Sequence, residues 1–147
     1  MKLITRKTDV QYLSDIEFDL EWEIELLIGP TKKYILCDPR NSGRIRISHP
    51  DWIVVETYDE RKRLFERARK IEIDADHLPV ARWEKLKKLN KHVIAKQQLV
   101  SKQRMIKTDV EVEKMIASQR LNERVLEAIT PQIQLGMTER DLEQVIR

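Results

Sequence analysis

Residues 21–37 read EWEIELLIGPTKKYILC and combine two apolar segments with a turn between them. Acidic and apolar residues alternate from residue 21, and the stretch is fully apolar by residues 26–28, as in a half-buried strand that enters a core. Residues 29–32 (GPTK) have the composition of a turn, and residues 33–37 form a second apolar strand. Two short strands around a turn predict a β-hairpin.

Strand-like and helix-like segments alternate on both sides of this hairpin. Strand patterns occupy residues 2–5, 52–55, 70–74 and 92–95, and helix patterns occupy residues 8–13, 59–70 and 79–89. Residues 38–43 (DPRNSG) have the composition of a loop. Alternation at this spacing predicts an α/β fold, a mixed sheet flanked by helices, within residues 1–100.

After residue 100 the alternation of strand and helix patterns ends, and helical patterns follow. We expect a linker at residues 101–107 and then a helical extension over residues 108–147. Thr108 and Glu111 form a capping box ahead of a helix over residues 109–129, which contains no glycine or proline. One side of this helix carries a mostly apolar stripe, formed by Val112, Met115, Ile116, Gln119, Asn122, Leu126 and Ile129. A second, short helix begins at Thr138.

Charge is unevenly distributed along the chain. Charged residues make up 36% of the sequence and the net charge is only +3, yet residues 61–107 contain 15 basic and 5 acidic residues. This surplus raises nucleic acid as a partner, but the cations lie in helix-forming segments without aromatic platforms. The sequence therefore favours solvated helix faces over a nucleic-acid surface.

Composition also limits the compartment and the chemistry. The single cysteine, Cys37, excludes an intrachain disulfide and fits a reducing, cytoplasmic setting, and no apolar run approaches a membrane span. Cys37 ends an apolar strand and is expected in the core. Asp74, Asp76 and His77 are the best candidate metal ligands, but adjacent positions point in different directions, so a polar turn and helix cap is expected. The sequence predicts no catalytic residue and no metal site.

Two segments in the C-terminal part carry a family resemblance. Residues 104–115 (RMIKTDVEVEKM) resemble the R-x-I-K-s-x-x-E-I-x-x-M junction of the creatinase, prolidase and Xaa-Pro aminopeptidase family. Residues 136–142 (GMTERDL) are similar to the G-M-T-E-x-E-L pattern that follows this junction in the same family.

The resemblance extends upstream with departures. Residues 10–15 (VQYLSD) resemble the N-I-x-Y-L-T-G-F pattern, with Asp15 in place of its glycine. Residues 25–40 resemble a hairpin that ends in T-D-x-R-Y, with Asn41 in place of its tyrosine. The resemblance implies that the chain begins after the strand and helix that usually open this family's N-terminal domain.

The resemblance implies a function for the whole family member. It implies a creatinase N-terminal-domain-like portion of a Xaa-Pro peptidase, followed by the first two helices of a truncated pita-bread catalytic domain. The family's two divalent metal ions (Mn, Co or Zn) would belong to the missing catalytic domain, so this chain alone is expected to be inactive. In this family the domain supports dimerisation and limits access to short proline-containing peptides.

Site and partner expectations follow from the same resemblance. The loop at residues 38–44 is expected near the substrate channel, with Asp38 receiving a peptide amine and Arg40 a carboxylate. An alternative of at least equal weight is that the two side chains cap the strand end and pair with each other. Apolar faces on the C-terminal helices predict a homo-oligomer or a complex with a separate catalytic half. Two alternatives remain: a basic nucleic-acid-binding module and a pseudo-peptidase interaction scaffold.

Overall fold

The computed structural model describes residues 1–16 and 23–146, and it divides into two compact units, Met1–Arg104 and Met105–Arg147. The first unit contains β1 (Lys2–Ile4), α1 (Lys7–Ser14), β2 (Glu25–Ile28), β3 (Lys33–Leu36), α2 (Pro39–Ser48), β4 (Ile53–Val55), α3 (Tyr58–Arg67), β5 (Ile71–Asp74), α4 (Val80–Leu89) and β6 (Val93–Lys96). A short helix, α5 (Ser101–Met105), follows at its end. The second unit contains α6 (Asp109–Ile129), a 3-10 turn (Thr130–Gln132) and α7 (Glu139–Ile146).

The six strands form one mixed sheet in the order β4-β3-β2-β1-β5-β6. Strand β2 is antiparallel to both of its neighbours, whereas the β3–β4, β1–β5 and β5–β6 pairs are parallel. Helices follow β1, β3, β4 and β5, as parallel pairing requires of its connections. The predicted α/β class and mixed sheet are confirmed.

The predicted hairpin is present as β2 and β3. Its register pairs Glu25 with Leu36 and Ile28 with Lys33, and the Gly29 amide donates to the carbonyl of Lys32 (2.9 Å). Residues 21 and 22, where the predicted first strand begins, lie outside the described residues. The observed strand starts at Glu25.

Both faces of the sheet are covered. Alternate residues of the central strands point to opposite sides, so Leu3 and Leu27 join one core whereas Ile4 and Leu26 join the other. Helices α3 and α4 complete the first core with Phe65 and Leu86. The second core contains Val10 of α1, Ile45 of α2, Val100 and the fully buried Cys37. The arrangement is three layers, with the sheet in the middle.

The prediction of a loop at residues 38–43 is wrong, because α2 begins there. Asp38 is the N-cap and accepts a hydrogen bond from the Arg40 amide (2.9 Å), and Pro39 occupies the first turn. Proline at the first helical position after an aspartate N-cap is a helix-start signal, because its fixed φ suits the helix and its missing N–H is not needed there. Burial of Ile45 against the sheet then stabilises a helix that its polar composition does not favour.

Helix α3 ends three residues before the predicted boundary because another segment terminates it. The side-chain amide of Asn90 donates to the carbonyls of Phe65 (2.8 Å) and Ala68 (2.5 Å), two of the groups that a helix C-terminus leaves without partners. Residues 68–70 are thereby released from the helix and lead into β5. The remaining predicted strands and helices of residues 1–100 are confirmed with end shifts of one or two residues.

The segment predicted as a linker contains α5, which is tied to α1 by an ion pair. The Asp9 carboxylate is 1% exposed and accepts a hydrogen bond from the Arg104 guanidinium (2.8 Å). Arg104 also donates to the Thr8 hydroxyl (3.3 Å) and lies over the Tyr12 ring at 5.9 Å from its centroid. The arginine of the resemblance motif therefore anchors the end of the first unit.

The second unit begins and ends its helices as the sequence predicts. The Thr108 hydroxyl accepts from the Glu111 amide, and the Glu111 carboxylate accepts from the Thr108 amide (2.8 Å), which completes the capping box of α6. Thr138 and Asp141 make the same exchange at α7, with 2.9 Å from the Thr138 amide to the Asp141 carboxylate. Among the described helices, none has the length and apolar character needed to cross a membrane.

We expect the substitution Asp9→Asn to lower the free energy of unfolding by about 2–3 kcal/mol. Losing one member of a fully buried pair costs roughly 3–5 kcal/mol, and the Arg104 side chain keeps 35% of its surface exposed. Urea denaturation of the purified chain measures the change. The matched control is Glu66→Gln in the exposed Lys62–Glu66 pair, which should change stability by less than about 0.5 kcal/mol. Equal effects of the two substitutions would contradict an anchoring role for Asp9.

Candidate functional site

A cavity with a volume of about 590 Å³ lies at the carboxyl ends of β3 and β4. In open α/β sheets this edge is where ligands bind, because connections diverge there and helix N-termini face the opening. Its lining residues are Glu23, Asp38, Pro39, Arg40, Asn41, Glu56, Tyr58 and Arg61. We call this cavity the carboxyl-end pocket.

Asp38 and Arg40, the two residues predicted from the sequence, both line this pocket and bind each other. The Arg40 side chain donates from Nε to Oδ1 (3.0 Å) and from Nη2 to Oδ2 (3.3 Å) of Asp38. Hydrogen bonds from the Arg40 side chain and backbone hold the pKa of Asp38 below its usual value. The Asp38 carboxylate is therefore charged, caps α2 and remains 40% exposed to the pocket.

Arg61 supplies a second cation that sequence reasoning missed. Its side chain projects from α3 and donates a hydrogen bond from Nη2 to the carbonyl of Cys37. Its Nε is buried and has no hydrogen-bond partner among the described residues. A carbonyl does not neutralise the guanidinium charge, so Arg61 contributes positive potential to the pocket wall.

Glu56 closes the side of the pocket nearest β4. Its carboxylate forms an ion pair with Arg46 of α2. A hydrogen bond from the Ser42 hydroxyl, together with the Arg46 guanidinium, lowers the pKa of Glu56. The pocket lining thus holds three carboxylates, Glu23, Asp38 and Glu56, and two guanidinium groups, Arg40 and Arg61.

This arrangement is suited to binding a zwitterionic ligand rather than to covalent chemistry. The nearby thiol of Cys37 is fully buried in the core as predicted, and burial raises its pKa, which disfavours the nucleophilic thiolate. Ionised carboxylates and guanidinium groups can receive ammonium and carboxylate groups, respectively. The pocket can therefore receive a small ligand that carries both charges.

A further buried acid lies behind the pocket. Glu25, at the start of β2, forms an ion pair with Arg82 of α4. Burial raises the pKa of Glu25 by more than the nearby positive charges of Arg82 and Arg61 lower it. This pair joins the sheet to α4, and its charged form costs free energy.

The described residues do not fit the two-metal site that the family resemblance implies. They contain no group of three or more histidine, cysteine, aspartate or glutamate side chains that could hold a metal ion. The Asp74 carboxylate instead accepts the Asp76 amide (3.0 Å) in a polar turn, as predicted. That turn does not cap α4 through a side chain.

The pocket contains Asp38 and Arg40, the two candidates from the sequence, whose substrate role stays a prediction. Its other charged residues, Glu23, Glu56 and Arg61, were missed because each lies in a different segment and none belongs to a motif. One signal was available for Glu56, because it directly follows a strand whose carboxyl end shares an edge with that of β3. No local signal marks Arg61, since its position depends on how α3 packs on the sheet.

Comparison with known proteins identifies the family. The sequence matches the Creatinase/Prolidase N-terminal domain over residues 1–106, so the chain belongs to this family. Among proteins with curated descriptions, none matches this sequence.

Solved structures of Xaa-Pro peptidases share the fold. An Xaa-Pro dipeptidase from Bacillus anthracis superposes with a TM-score of 0.83 at 19% identity, over 99% of this chain and 42% of that enzyme. An X-Pro aminopeptidase from Thermotoga maritima MSB8 gives 0.81 at 19% identity, over 99% of this chain and 44% of that enzyme. The N-terminal domain of the cytoplasmic peptidase PepQ from Mycobacterium tuberculosis H37Rv gives 0.58 at 18% identity, over 69% of this chain and 84% of that domain. This chain spans less than half the length of the first two enzymes.

We expect Glu25 to make the chain less stable as pH rises. Because the pKa of Glu25 is raised in the folded state, its contribution is fully present below the ordinary value of 4.5 and is lost as pH rises through the raised pKa. When the pH is raised from below 4.5 to above the raised pKa, the Glu25→Gln variant should therefore become more stable relative to the unmodified chain. Urea denaturation across this range measures the difference.

The matched control has the opposite sign. A hydrogen bond from Thr57 lowers the pKa of Glu60, so Glu60→Gln should lose stability relative to the unmodified chain as pH rises. If both substitutions shift stability in the same direction, burial does not dominate the environment of Glu25.

Proposed function

We propose that this chain is the N-terminal, dimerisation and substrate-access portion of a Xaa-Pro peptidase-like metallohydrolase. Membership of the Creatinase/Prolidase N-terminal domain family and the shared fold of the Xaa-Pro peptidases support this assignment. The observation that carries it is the carboxyl-end pocket, which places Asp38 and Arg40 together on a charged wall. Metal-dependent hydrolysis would belong to a catalytic half that supplies both divalent ions.

The Asp38–Arg40 pair gives the pocket a means of exchanging partners. The Arg40 side chain is 86% exposed, and an exposed ion pair of this kind is worth only about 0–1 kcal/mol. A peptide ammonium group can therefore replace Arg40 at the Asp38 carboxylate at small cost. Arg40, once released, would receive the peptide carboxylate, and Arg61 would add attraction from the pocket wall.

Helices α6 and α7 support association with a catalytic half or with a second copy. The described part of α6 exposes Met115, Ile116 and Leu126 of the predicted stripe, and it exposes Leu121 on its opposite side. Exposed apolar side chains along a helix are typical of a face that packs against another element. We therefore propose that this unit provides docking helices for the hydrolytic domain.

We expect a proline-containing dipeptide such as Ala-Pro to bind in the carboxyl-end pocket. In an NMR titration with ¹⁵N-labelled chain, shifts should concentrate at residues 38–44 and 56–61. Asp38→Asn should weaken binding about fivefold, or about 1 kcal/mol, because the ammonium loses a partly exposed charge-assisted partner. Asparagine is also a good N-cap, so α2 should be retained.

The control for this titration is Asp51→Asn, which removes an exposed carboxylate at the amino end of β4. It should leave the affinity unchanged. Equal affinity of the Asp38→Asn variant and the unmodified chain would contradict the proposed site. Hydrolysis of Ala-Pro when Mn²⁺ or Co²⁺ is added would show that the catalytic groups lie within this chain.

We expect the purified chain to self-associate at high concentration when no catalytic half is present. Light scattering should report a mass above that of a monomer, and Ile116→Gln combined with Leu126→Gln should shift the chain towards monomer. Each substitution should weaken association roughly tenfold, because about 1–2 kcal/mol of apolar burial is lost. The control, Lys114→Gln with Arg120→Gln, should have no such effect. A clean monomer for the unmodified chain would contradict the prediction.

A further inference from the structure

The amino edge of the sheet collects cations from four separate segments of the first unit. Strands β1, β3, β5 and β6 begin at this edge, and α3 and α4, which connect parallel strands, end there. The residues concerned are Lys2, Lys33, Arg67, Arg69, Lys70, Lys87, Lys88 and Lys91. We call this surface the basic edge.

Register and hydrogen bonds place these segments next to one another. Lys2 and Lys33 are both opposite Ile28, one on each side of β2. The Ile71 amide donates to the carbonyl of His92 (3.0 Å), which brings the residues that precede β5 beside those that precede β6. Asn90 binds the last carbonyls of α3, so the end of α3 lies against the segment that follows α4. Residues distant in sequence therefore form one surface.

Acidic residues offset only part of the charge of the basic edge, since Glu72 pairs with Lys70 and Asp51 lies at the amino end of β4. Lys70 forms an ion pair with Glu72 (2.6 Å), and the pKa of Glu72 is lowered by this hydrogen bond and by the charges of Lys70, Lys96 and Lys2. The other seven cations make no ion pair with any described residue. Lys33 and Lys87 instead lie over the rings of Trp52 and Trp83, each at 5.4 Å from the centroid.

Helix stabilisation explains only some of these cations. Arg67, Lys87 and Lys88 lie in the last turns of α3 and α4, where positive charge interacts favourably with the helix dipole. Lys2 and Lys33 belong to strands, and Arg69 and Lys91 lie beyond the helix ends. Their convergence on the same edge therefore requires another explanation.

We propose that the basic edge binds the phosphate backbone of nucleic acid without sequence preference. From β3 to β6 the edge spans four strand spacings, about 19 Å, which is long enough to follow several phosphates. Lysine and arginine binding to phosphate gains free energy from counterion release and needs no apolar contact. The lysines above Trp52 and Trp83 cover those rings, so phosphate contacts rather than base stacking carry the binding.

The same surface is poorly suited to the other anionic partners. Protein interfaces have an apolar centre, and membrane-surface helices insert apolar side chains. Within the described residues 1–2, 32–33, 67–70 and 87–92, no large apolar side chain is exposed. This surface is also at the opposite edge of the sheet from the carboxyl-end pocket, so nucleic-acid binding is separate from the proposed peptide role.

Fluorescence anisotropy with labelled single-stranded DNA of about 20 nucleotides tests the proposal. If about four of the cations each contact a phosphate, the logarithm of the association constant should fall as the logarithm of the salt concentration rises, with a slope of about −3. The variant K87Q/K88Q/K91Q, which neutralises all three lysines, should make the slope shallower by about 2. It should also lower the affinity at low salt by at least tenfold. Neutralising the strand cations with K2Q/K33Q should also weaken binding.

A matched control separates the basic edge from net charge. The variant K114Q/R120Q/R124Q removes the same number of charges from α6 and should bind DNA like the unmodified chain. Thermal unfolding followed by circular dichroism verifies that every variant is folded. The proposal is overturned if the α6 variant loses as much affinity as K87Q/K88Q/K91Q, or if neither the α4 nor the strand variant weakens binding.

Two further probes test the chemical class of the ligand. Poly-glutamate represents an acidic protein partner, and phosphatidylserine vesicles represent a membrane surface. Both should bind more weakly than DNA and should fail to displace it. Tighter binding of either probe through Lys87, Lys88 and Lys91 would overturn the assignment to nucleic acid.

Discussion

Burial of the sheet on both faces is the constraint on which the rest of the structure depends. The central strands carry Leu3, Leu26, Leu27 and Ile35, and none of these side chains retains meaningful contact with water. A strand that is apolar on both faces requires cover on both faces, because each exposed leucine would forfeit about 1.5–3 kcal/mol of burial. Helices must therefore lie above and below, and the parallel connections provide them.

This topology also separates the charges of the first unit. Helix N-termini and strand carboxyl ends share one edge, where Asp38 pairs with Arg40 and Glu56 pairs with Arg46. Helix C-termini and strand amino ends share the other edge, where cations accumulate with little compensation. The two edges thus have different recognition properties, although the chain's net charge of +3 reveals neither of them.

Sequence patterns located most elements because most follow from local chemistry. Alternating or continuous apolar residues predicted the strands, and the Thr108–Glu111 exchange predicted the start of α6 correctly. The failure at residues 38–43 has an equally physical origin. Asp, Pro, Asn, Ser and Gly favour both turns and helix starts, and the choice was made by the burial of Ile45 on the sheet. Likewise, no pattern within residues 101–107 shows that Arg104 pairs with Asp9, 95 residues away.

The sequence alone was enough to predict the α/β class, the hairpin and the capped helices of the second unit. It also showed the resemblance to the creatinase and prolidase family. All of these depend on residues that are close together in the chain. It also predicted Asp38 and Arg40 as neighbouring candidate residues, only two positions apart, and their substrate role stays a prediction. Tertiary structure alone decided that Glu56 and Arg61 join them, that Arg104 anchors on Asp9, and that cations from four segments share one edge. Such convergence depends on strand order and helix packing, which bring together groups whose separation along the chain carries no signal of their proximity.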